Sequence, residues 1–590
     1  MALNIIGISA YYHDSACCLM RDGELVCAAE EERFSRTKHD SGLPWRAFRF
    51  CLQQGGLTLP EVDCIAFYED PVKKLSRQLW MCFQPEIAEE SRRYLAGRLK
   101  LGRLERDVRQ GLGYDGPIHI VEHHQAHAAS SFFFSGFPEA AVLTVDGVGE
   151  WATTTLGRAA GNSIEILEEV HFPNSLGLLY SAITAYLGFE VNDGEYKVMG
   201  LAPYGEPRHL EAMRRLLRTG AAGQFRLDMR YFDFLKGERM YSERLVELLG
   251  QAQREPESEL TSFHHDVARS LQALLEEVLL EKVRYLHAKA PSDHLCMAGG
   301  VALNCVANSR LLREGPFSHL FVQPAASDAG GALGAAALAH LHRTAERPAQ
   351  RRLTEVYLGP AFSSAEIAQL LEASSARFVD FRDRTGDLLD AVVERLAQGK
   401  VVGWFHGRME FGPRALGARS ILADPRDPQM RDRINALVKQ REAFRPFAPA
   451  VLAERTREHF DIDHPSPFML ETCGVKSPLD LPAVTHVDGS ARVQTVDRQA
   501  SPRFAELLGR FEQRTSCPIL LNTSFNMRGE PIVCTPVDAL VCFVRSKMDT
   551  LVLEDFVLDR EAVPALWPVV LGQLQRSGAP AVSHQVYTLL

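Results

Sequence analysis

The stretch EAAVLTVDGVGEWATTTLGRA, residues 139–159, places one glycine-bearing turn between two runs of apolar and β-branched residues. This pattern predicts two strands that pair as a hairpin, with DGVGE at the bend. A glycine turn at this place exposes backbone N–H groups that can hold phosphate oxygens, and its acidic residue can hold a metal ion. Asp146, Gly147 and Gly149 are therefore candidate binding residues, although an ordinary tight turn gives the same pattern.

A histidine-rich stretch, VEHHQAHAAS at residues 121–130, precedes this hairpin. If the stretch is helical, His123 and His127 lie on one face, with about 6 Å of axial rise between them. Two neutral imidazoles at this spacing can hold one divalent ion, but a polar helix start with hydrogen-bonded histidines gives the same spacing. His124 points away from that face, so we expect it to have a structural or supporting role.

Three further segments repeat the alternation of strand and turn. The N-terminus predicts a hairpin with Asp22–Gly23 as its turn. AGGVALN (298–304) and SDAGGALGAA (327–336) each follow a short apolar strand and open a helix. Glycines at such points let the backbone approach a flat ring or a ribose closely. The candidate nucleotide-binding residues of these two turns are Gly299, Gly300, Asn304, Gly330 and Gly331.

The composition bounds the class of protein. The length of 590 residues predicts two to four domains, and the net charge of −10 argues against a nucleic-acid or membrane partner. The N-terminal residues have no basic start, and no apolar run approaches the length of a membrane span. The twelve cysteines include no CxxC pair, which is typical of reduced thiols. We therefore expect a cytoplasmic protein that binds neither nucleic acid nor membrane.

A second candidate site lies between Arg408 and Arg445. This segment contains eight arginines and Lys439 against five acidic residues, a local surplus of 9 − 5 = 4 positive charges. The guanidinium fork suits bidentate binding of phosphate or carboxylate oxygens. A solvated charged helix would give the same charge count, but the glycine-rich stretch EFGPRALGARSILADPR (410–426) and apolar neighbours favour a partly buried anion pocket.

The charged segment RTAERPAQRRLT, residues 343–354, has the composition of a surface connector. A helix, a strand and a Gly/Arg-rich loop follow it, which changes the composition of the chain. We therefore predict a first domain over residues 1–355, a linker over 356–385 and a second domain over 386–590 that ends in a tail.

The order of the motifs HHQAH, DGVGE, KVMGLAPYG (197–205), GGVALN and SDAGGALGAA resembles the carbamoyltransferase family. This family includes the tobramycin, cephalosporin and novobiocin O-carbamoyltransferases and nodulation protein U. The resemblance covers essentially the whole chain. It implies an α/β fold with an N-terminal actin-like domain of two RNase-H-like halves (the ASKHA architecture). This domain is similar to the tRNA threonylcarbamoyladenosine transferase, and a YrdC-like α/β domain follows it.

The resemblance also implies roles for residues of the first domain. A divalent metal ion, with Fe²⁺ preferred, would be held by His123, His127, Asp146 and Asp328. Lys197 and the glycine turns would bind the nucleotide. His13, with Asp14 beside it, would be the general base near an acceptor hydroxyl, because an imidazole with a pKa near 6.5 can remove a proton near neutral pH. A surface turn histidine paired with Asp14 is the simpler alternative.

The YrdC-like domain is expected to bind carbamoyl phosphate and ATP. Arg414 and Lys439 are the predicted catalytic residues there. The stretch TSCPILLNTSFNMRGEPIVCTP (515–536) resembles a second signature of this domain. The binding residues predicted in this domain are Arg419, Arg445, Arg492, Thr495, Asn522, Ser524, Asn526 and Arg528, with His486 nearby.

The implied activity is ATP-dependent O-carbamoylation. Carbamoyl phosphate and ATP, with Mg²⁺, would give carbamoyladenylate, and the carbamoyl group would pass to a hydroxyl of a small-molecule acceptor. The protein would be a monomer or a homodimer. Two alternatives are a tRNA threonylcarbamoyl-type modifying enzyme and a non-catalytic, actin/Hsp70-like nucleotide-binding protein. The net acidity and the KVMGLAPYG segment count against the former, and the HxxxH pair and the second anion pocket count against the latter.

Overall fold

The computed structural model describes residues 2–564, 566 and 567, apart from residues 86, 88, 99–101, 221–223, 237, 238, 350, 351, 440, 441 and 443. The chain forms two compact units. The first contains the residues up to Glu31 and His39–Leu353, and the second contains Glu32–Lys38 and the chain from Thr354. The predicted tail from residue 568 onward lies outside the described residues.

The first sheet of the first unit has five strands in the order β3-β2-β1-β4-β5. Its strands are β1 (Asn4–Ser9), β2 (Ala16–Arg21), β3 (Glu24–Glu30), β4 (Cys64–Phe67) and β5 (Ile118–Ile120). The first three strands are antiparallel, whereas β4 and β5 run parallel to β1. Asp22 and Gly23 join β2 to β3 with φ of 49° and 81°, so the predicted hairpin turn is confirmed.

The second sheet has the order β12-β11-β6-β7-β8. Its strands are β6 (Glu139–Val145), β7 (Ala152–Ala160), β8 (Ser163–His171), β11 (His294–Ala298) and β12 (His319–Val322), and a separate ladder joins β9 (Leu217–Thr219) to β10 (Phe225–Leu227). Strands β6, β7 and β8 are antiparallel, and β11 and β12 run parallel to β6. The two sheets therefore share one topology, as a pair of RNase-H-like halves requires, and the predicted hairpin around DGVGE is confirmed.

Thirteen α-helices begin within residues 31–328 in the described part of the chain. They are α1 (Glu31–Ser35), α2 (Trp45–Gly55), α3 (Pro71–Cys82), α4 (Glu89–Arg98), α5 (Arg103–Asp107), α6 (His123–Phe132), α7 (Leu176–Tyr186), α8 (Glu195–Leu201), α9 (Leu210–Arg214), α10 (Glu243–Leu249), α11 (Ser262–Lys289), α12 (Cys305–Glu314) and α13 (Asp328–Thr344). In the described residues, no helix has the length and apolar character needed to cross a membrane.

Helices α6 and α13 cross very closely, because small residues face each other at the crossing. A Cβ atom on Gly334 of α13 would lie 1.8 Å from the carbonyl oxygen of Ala126 on α6. A Cβ atom on Gly7 of β1 would lie 2.0 Å from the carbonyl oxygen of Ala332. The small-residue sequence of α13 is therefore required for close packing, and it allows the first turn of α13 to lie beside α6.

The second unit contains a sheet of eight strands in the order β13-β22-β21-β14-β15-β20-β16-β19. Its strands are β13 (Val379–Asp380), β14 (Val402–Phe405), β15 (Arg419–Ala423), β16 (Ala448–Leu452), β19 (Gln494–Val496), β20 (Ile519–Ser524), β21 (Thr550–Leu553) and β22 (Phe556–Asp559), and a small ladder joins β17 (Cys473–Gly474) to β18 (Ser490–Ala491). The helices are α14 (Ser364–Ala373), α15 (Thr385–Ala397), α16 (Met430–Ile434), α17 (Thr456–His459), α18 (Pro502–Thr515) and α19 (Pro536–Arg545).

Residues 356–385 do not form the linker that the sequence predicts. They contain α14 and β13, and Ile367 and Leu371 of α14 are buried in the same apolar core as Trp404 of β14. The amphipathic spacing of these apolar residues gives the helix a face that packs on the sheet, so the segment is part of the second unit.

Residues 32–38 also belong to the second unit, although they precede most of the first in sequence. The Arg33 side chain donates to the carbonyl oxygen of Gly412 at 2.9 Å. Arg36 donates to the carbonyl oxygens of Pro531 and Ile532, at 2.7 Å each. These two arginines thus anchor the short segment by donating to backbone carbonyls.

Candidate metal centre and anion pocket

Four side chains converge in the first unit. His123 and His127 lie in the first two turns of α6, Asp146 directly follows β6, and Asp328 is the first residue of α13. All four side chains are buried, and their ligand atoms lie within 4.8 Å of one another. The close crossing of α6 and α13 brings the first turns of both helices to the end of β6.

The ligand atoms of these residues face a common point. The two Nε2 atoms of His123 and His127 are 3.1 Å apart, and Nε2 of His123 is 3.1 Å from Oδ2 of Asp146. Oδ1 of Asp328 lies 3.6 Å and 3.7 Å from the same two nitrogens. These separations match those between neighbouring ligands of one ion bound at about 2.0–2.2 Å.

The remaining oxygen of each carboxylate is held by a protein donor. The backbone N–H of Gly300 donates to Oδ1 of Asp146 at 2.8 Å, and the Tyr68 hydroxyl donates to Oδ2 of Asp328 at 3.0 Å. Oδ1 of Asp328 is buried and accepts no hydrogen bond among the described residues. An unsatisfied buried carboxylate oxygen, two imidazoles and a second carboxylate fit a divalent cation, because ion binding would satisfy that oxygen.

The pKa shifts within the cluster also favour a bound divalent cation. Burial lowers the pKa of His127, but its contacts with Asp146 and Asp328 outweigh burial and raise that pKa to about 9. Burial raises the pKa of Asp146, whereas both histidines lower it, and the result lies well below the usual range. The carboxylates therefore favour positive charge on the imidazoles, and a divalent cation can replace the protons that supply it.

His124 supports the centre without facing it. Its Nδ1 lies 2.6 Å from Oγ1 of Thr144, and its Nε2 lies 2.8 Å from the carbonyl oxygen of Ala152. Burial, together with the nearby His123 and His127, lowers its pKa well below the usual value, which keeps the ring neutral. Both nitrogens are thus occupied within the fold, in agreement with the expected supporting role.

Sequence reasoning did not assign a role to Glu150, the last residue of DGVGE. Its Oε1 accepts hydrogen bonds from the backbone N–H groups of His123 and Asp70, both at 2.8 Å. The carboxylate therefore fixes the start of α6, where the first candidate ligand lies, and favourably meets the positive end of the helix dipole. An acidic residue four positions after Asp146 in the same turn was a signal that could have found it.

The predicted glycines lie around this centre at positions where a side chain would clash with neighbouring atoms. A Cβ atom on Gly149 would lie 2.9 Å from Cδ2 of His123, and one on Gly299, whose φ is 94°, would lie 2.3 Å from the carbonyl oxygen of Val145. Gly147 packs against Gly177 and accepts from the Ser175 hydroxyl. Gly330 lies similarly close to Ala325, and Gly331 lies similarly close to Tyr68, so a Cβ atom would not fit at either position.

The two other predicted nucleotide-binding residues of this unit have protein contacts. The Asn304 side chain caps α12, and it exchanges two hydrogen bonds, at 2.9 Å and 3.0 Å, with the side-chain amide of Gln272. Lys197 is buried on α8 with its ammonium 5.8 Å from the centre of the Phe189 ring. Their binding of a nucleotide stays a prediction.

The second candidate site lies at one edge of the eight-stranded sheet. β14 ends at Phe405, which pairs with Arg419 at the start of β15, and Ser420 pairs with Ser524 at the end of β20. The start of β16 pairs with Asn522, and β19 runs parallel to β16. This register brings four parts of the chain to the same edge of the sheet. They are the loop that contains Arg414, the residues after Ser524, the segment before Ala448, and the residue Arg492.

Lys439 and two predicted binding residues meet at this edge. The Lys439 ammonium donates to Oγ of Ser524 at 3.0 Å and to Oδ1 of Asn526 at 2.7 Å. It also contacts the backbone carbonyl oxygens of both residues, at 2.5 Å and 3.1 Å. These four acceptors are formally neutral oxygens, and the Lys439 side chain is buried among them.

Three predicted binding residues are engaged inside the fold instead. Arg419 is fully buried, lies 3.6 Å from the centre of the Phe405 ring and donates to the carbonyl oxygens of His406, Gly407, Ala418 and Pro360. Asn522 donates to Gln494 and to the Ala415 carbonyl. The Thr495 hydroxyl accepts from the backbone of Ser466. These polar groups contact the protein itself, and a ligand role for the three residues stays a prediction.

The remaining predicted residues of this pocket differ in exposure. Arg414, Arg445 and Arg492 are half-buried, and Arg528 is exposed. Arg445 lies 3.6 Å from the carboxylate of Glu442, and His486 lies 3.7 Å from that of Asp488. Their binding of an anion stays a prediction.

Glu410 is a further residue that sequence reasoning left without a role. Its Oε1 accepts from the backbone N–H groups of Leu416 and Ala418 at 2.7 Å and of Arg419 at 3.2 Å. One buried carboxylate thus fixes both sides of the loop that contains Arg414. A lone acid at the start of an arginine-rich loop was the signal in the sequence.

The first unit thus combines a duplicated mixed sheet with a buried His/Asp cluster, and the second is an α/β unit with cationic residues at one edge of its sheet. The family model described as carbamoyltransferase N-terminus matches residues 4–337, and the one described as carbamoyltransferase C-terminus matches residues 393–560. The chain therefore belongs to the carbamoyltransferase family and is an enzyme that transfers carbamoyl groups. The resemblance read from the motifs is confirmed.

Several relatives cover most of the chain. An uncharacterized protein of Synechocystis sp. is 48% identical over 95% of this chain and 97% of its own length. Nodulation protein NolNO of Sinorhizobium fredii is 39% identical over 95% of this chain and 81% of its own. Nodulation protein U of Bradyrhizobium diazoefficiens is 37% identical over 45% of each chain. A solved structure of HypF from T. kodakarensis matches 58% of this chain and 48% of its own at 14% identity, with a TM-score of 0.32.

Proposed function

We propose that this enzyme is an ATP-dependent O-carbamoyltransferase. It forms carbamoyladenylate from carbamoyl phosphate and ATP in its second unit, which we propose to be YrdC-like, and passes the carbamoyl group to a hydroxyl of a small molecule in its first. The observation that carries the proposal is the presence of two chemically different sites. One is a closed centre of nitrogen and oxygen donors, and the other is a cationic sheet edge suited to phosphates.

The activation step is assigned to the second unit. Water hydrolyses carbamoyl phosphate to phosphate and carbamate, the carbamate oxygen attacks the α-phosphorus of ATP, and pyrophosphate leaves. Lys439 and the half-buried Arg414, Arg445 and Arg492 lie at the edge where these phosphates would bind. Their positive charges, with Mg²⁺ on the nucleotide, offset the negative charge of the phosphates.

The transfer step is assigned to the first unit. A divalent ion held by His123, His127, Asp146 and Asp328, which we propose to be Fe²⁺, would supply Lewis-acid polarisation of the carbamoyl group. His13 takes the proton of the acceptor hydroxyl, and the acceptor oxygen attacks the carbamoyl carbon as AMP leaves. The glycines around the centre keep the backbone close to the ligands.

The acceptor class and the location are part of the proposal. Relatives named as nodulation proteins support a small-molecule acceptor. All twelve cysteines are free thiols, and eleven of them are buried, which supports a reducing compartment such as the cytoplasm.

The test is to incubate the purified protein with carbamoyl phosphate and α-labelled ATP in the absence of any acceptor. We expect pyrophosphate and a labelled adenylate ester. Arg414→Ala is expected to abolish pyrophosphate release, whereas His127→Ala is expected to keep this half-reaction, since the second unit carries it. Arg514→Ala is the matched control, because Arg514 is exposed on α18 and contacts only Glu394 among the described side chains.

Unchanged ATP in this assay, or ADP as its only product, would contradict the activation step. Pyrophosphate release that survives Arg414→Ala would remove the assignment of that step to the sheet edge.

A further inference from the structure

The loop between β1 and β2 contains backbone that is strained next to a cluster of titratable groups. Tyr11 and Asp14 in this loop have φ of 74° and 55°, and His39 has φ of 54°. Positive φ is uncommon for residues other than glycine and is least expected for a bulky residue such as Tyr11. Strain of this kind persists where the surrounding structure enforces it, and it concentrates at functional sites.

Asp14 bridges two histidines in this region. Its Oδ2 lies 3.0 Å from Nδ1 of His13, and its Oδ1 lies 2.8 Å from Nδ1 of His39. The other ring nitrogen of His39 lies 3.6 Å from Oδ1 of Asp193. The side chains of His13, Asp14 and His39 are 18%, 17% and 26% exposed, so the bridge is shielded from most of the solvent.

His13 is also within electrostatic reach of the candidate metal centre. Burial lowers the pKa of His13, but Asp14, Asp328 and Asp146 outweigh burial and raise it to about 9. A divalent cation held at the centre would offset the charges of Asp328 and Asp146, which lowers this pKa and lets His13 act as a base near neutral pH. The Tyr12 ring covers one side of the imidazole, with the ring centres 4.8 Å apart. The groups that face His13 are thus Asp14 on one nitrogen, His39 behind Asp14, the Tyr12 ring, and the carboxylates of the centre at longer range.

We propose that His39 is a positioning residue for carbamoyl transfer: it holds Asp14, and Asp14 holds His13 by Nδ1, so that Nε2 of His13 is the atom that accepts the hydroxyl proton. This inference rests on the proposed function. In the step, a bond forms between the acceptor oxygen and the carbamoyl carbon. The bond from that carbon to the phosphate oxygen of carbamoyladenylate breaks, AMP keeps that electron pair, and the hydroxyl proton ends on His13.

Asp14 stays ionised throughout this step. Burial raises its pKa, but His13 and His39 lower it well below the usual range, because each histidine contacts one of its two oxygens. A carboxylate shared in this way can orient His13 without taking up a proton itself. His39 limits how strongly Asp14 favours the protonated form of His13, since it draws on the same negative charge.

The experiment is to measure the reaction of His13 with diethyl pyrocarbonate, residue by residue, by peptide mass spectrometry between pH 5 and pH 10 in the full-length protein. A histidine reacts with this reagent only in its neutral form, so the rate at His13 reports the titration of this residue without ATP or an acceptor. The variants are His39→Ala, His39→Asn and Asp14→Asn. His171, which is exposed on β8, is the internal control for reagent and fold.

The variants are expected to shift the pH midpoint of His13 in opposite directions. His39→Ala raises it by about one unit, because Asp14 keeps its charge but loses its second donor. His39→Asn restores the wild-type midpoint, since the Asn amide nitrogen can take the place of Nδ1. Asp14→Asn lowers it by more than about one unit, because the carboxylate charge is lost.

An unchanged or lowered midpoint in His39→Ala, with an unchanged rate at His171, would overturn the role of His39. No shift in Asp14→Asn would overturn the bridge itself. Pyrophosphate release by the wild-type protein tests the proposed function separately. If that release fails, the carbamoyladenylate mechanism fails, whereas the titration of His13 still shows directly whether the three side chains are coupled.

Discussion

The two candidate sites of this enzyme are built in opposite ways. The metal centre uses four buried side chains from two helices and one strand end, and each ligand atom faces the others. The anion pocket uses cations along a sheet edge, and several of its polar residues bind the protein's own backbone. A coordination site limits its residues to one geometry, whereas an arginine serves equally well as a ligand or as a structural donor.

The largest expected effect is on the metal centre. His127→Ala removes one of the four candidate ligands, so the affinity for a divalent metal should fall by at least about 100-fold. Metal content after dialysis against a series of free-metal buffers measures this. His171→Ala serves as the histidine control. Full metal content in His127→Ala would show that the four residues are not the ligands.

The two sites should also differ in their response to pH. Contacts with Asp146 and Asp328 raise the pKa of His127 to about 9, so the metal must displace a proton below that pH. Metal affinity is therefore expected to fall by about tenfold for each pH unit from 8 to 6. ATP affinity should change far less, because guanidinium groups keep their charge over this range. Calorimetric titrations at pH 6, 7 and 8 measure both affinities. An equal dependence of metal affinity and ATP affinity on pH would contradict this prediction.

The pair Arg414 and Arg419 tests whether arginines of one loop divide into ligands and structural donors. Arg419→Ala leaves four backbone carbonyls without their buried donor and should destabilise the second unit by about 3 kcal/mol or more. Arg414→Ala should change the free energy of unfolding by less than about 1 kcal/mol while it abolishes pyrophosphate release. Urea unfolding followed by circular dichroism, with the pyrophosphate assay, separates these effects. Similar stability of both variants would contradict the division.

The smallest expected effect is that of one methyl group beside the metal centre. The Cβ of Gly149→Ala would lie 2.9 Å from Cδ2 of His123 and should displace that ligand, with about tenfold weaker metal binding. Gly509→Ala in α18 is the matched control, because its Cβ would approach only the end of the Arg498 side chain, at 3.8 Å. Unaltered metal affinity in Gly149→Ala would show that His123 has room to move.

Much of the first unit could be predicted from the sequence because its signals are local. The hairpin turn at Asp22–Gly23, the strands that flank DGVGE and the helices that follow the two glycine pairs each depend on fewer than about ten neighbouring residues. The repeated topology then follows from pairing these elements. Residues 356–385 were misread because their charged, irregular flanks obscured an amphipathic helix that packs on a distant strand.

Local sequence is enough to give the types of residue in both sites, their order along the chain and the hairpins and helices that present them. Which atoms meet depends on how distant segments pack in the folded chain. It pairs Tyr68 with Asp328, 260 residues apart, and aims the other oxygen of Asp328 at the histidines. It also places Arg419 against four carbonyls and Asp14 between two histidines. Packing between distant segments sets the hydrogen-bond partners, and no local pattern records that packing.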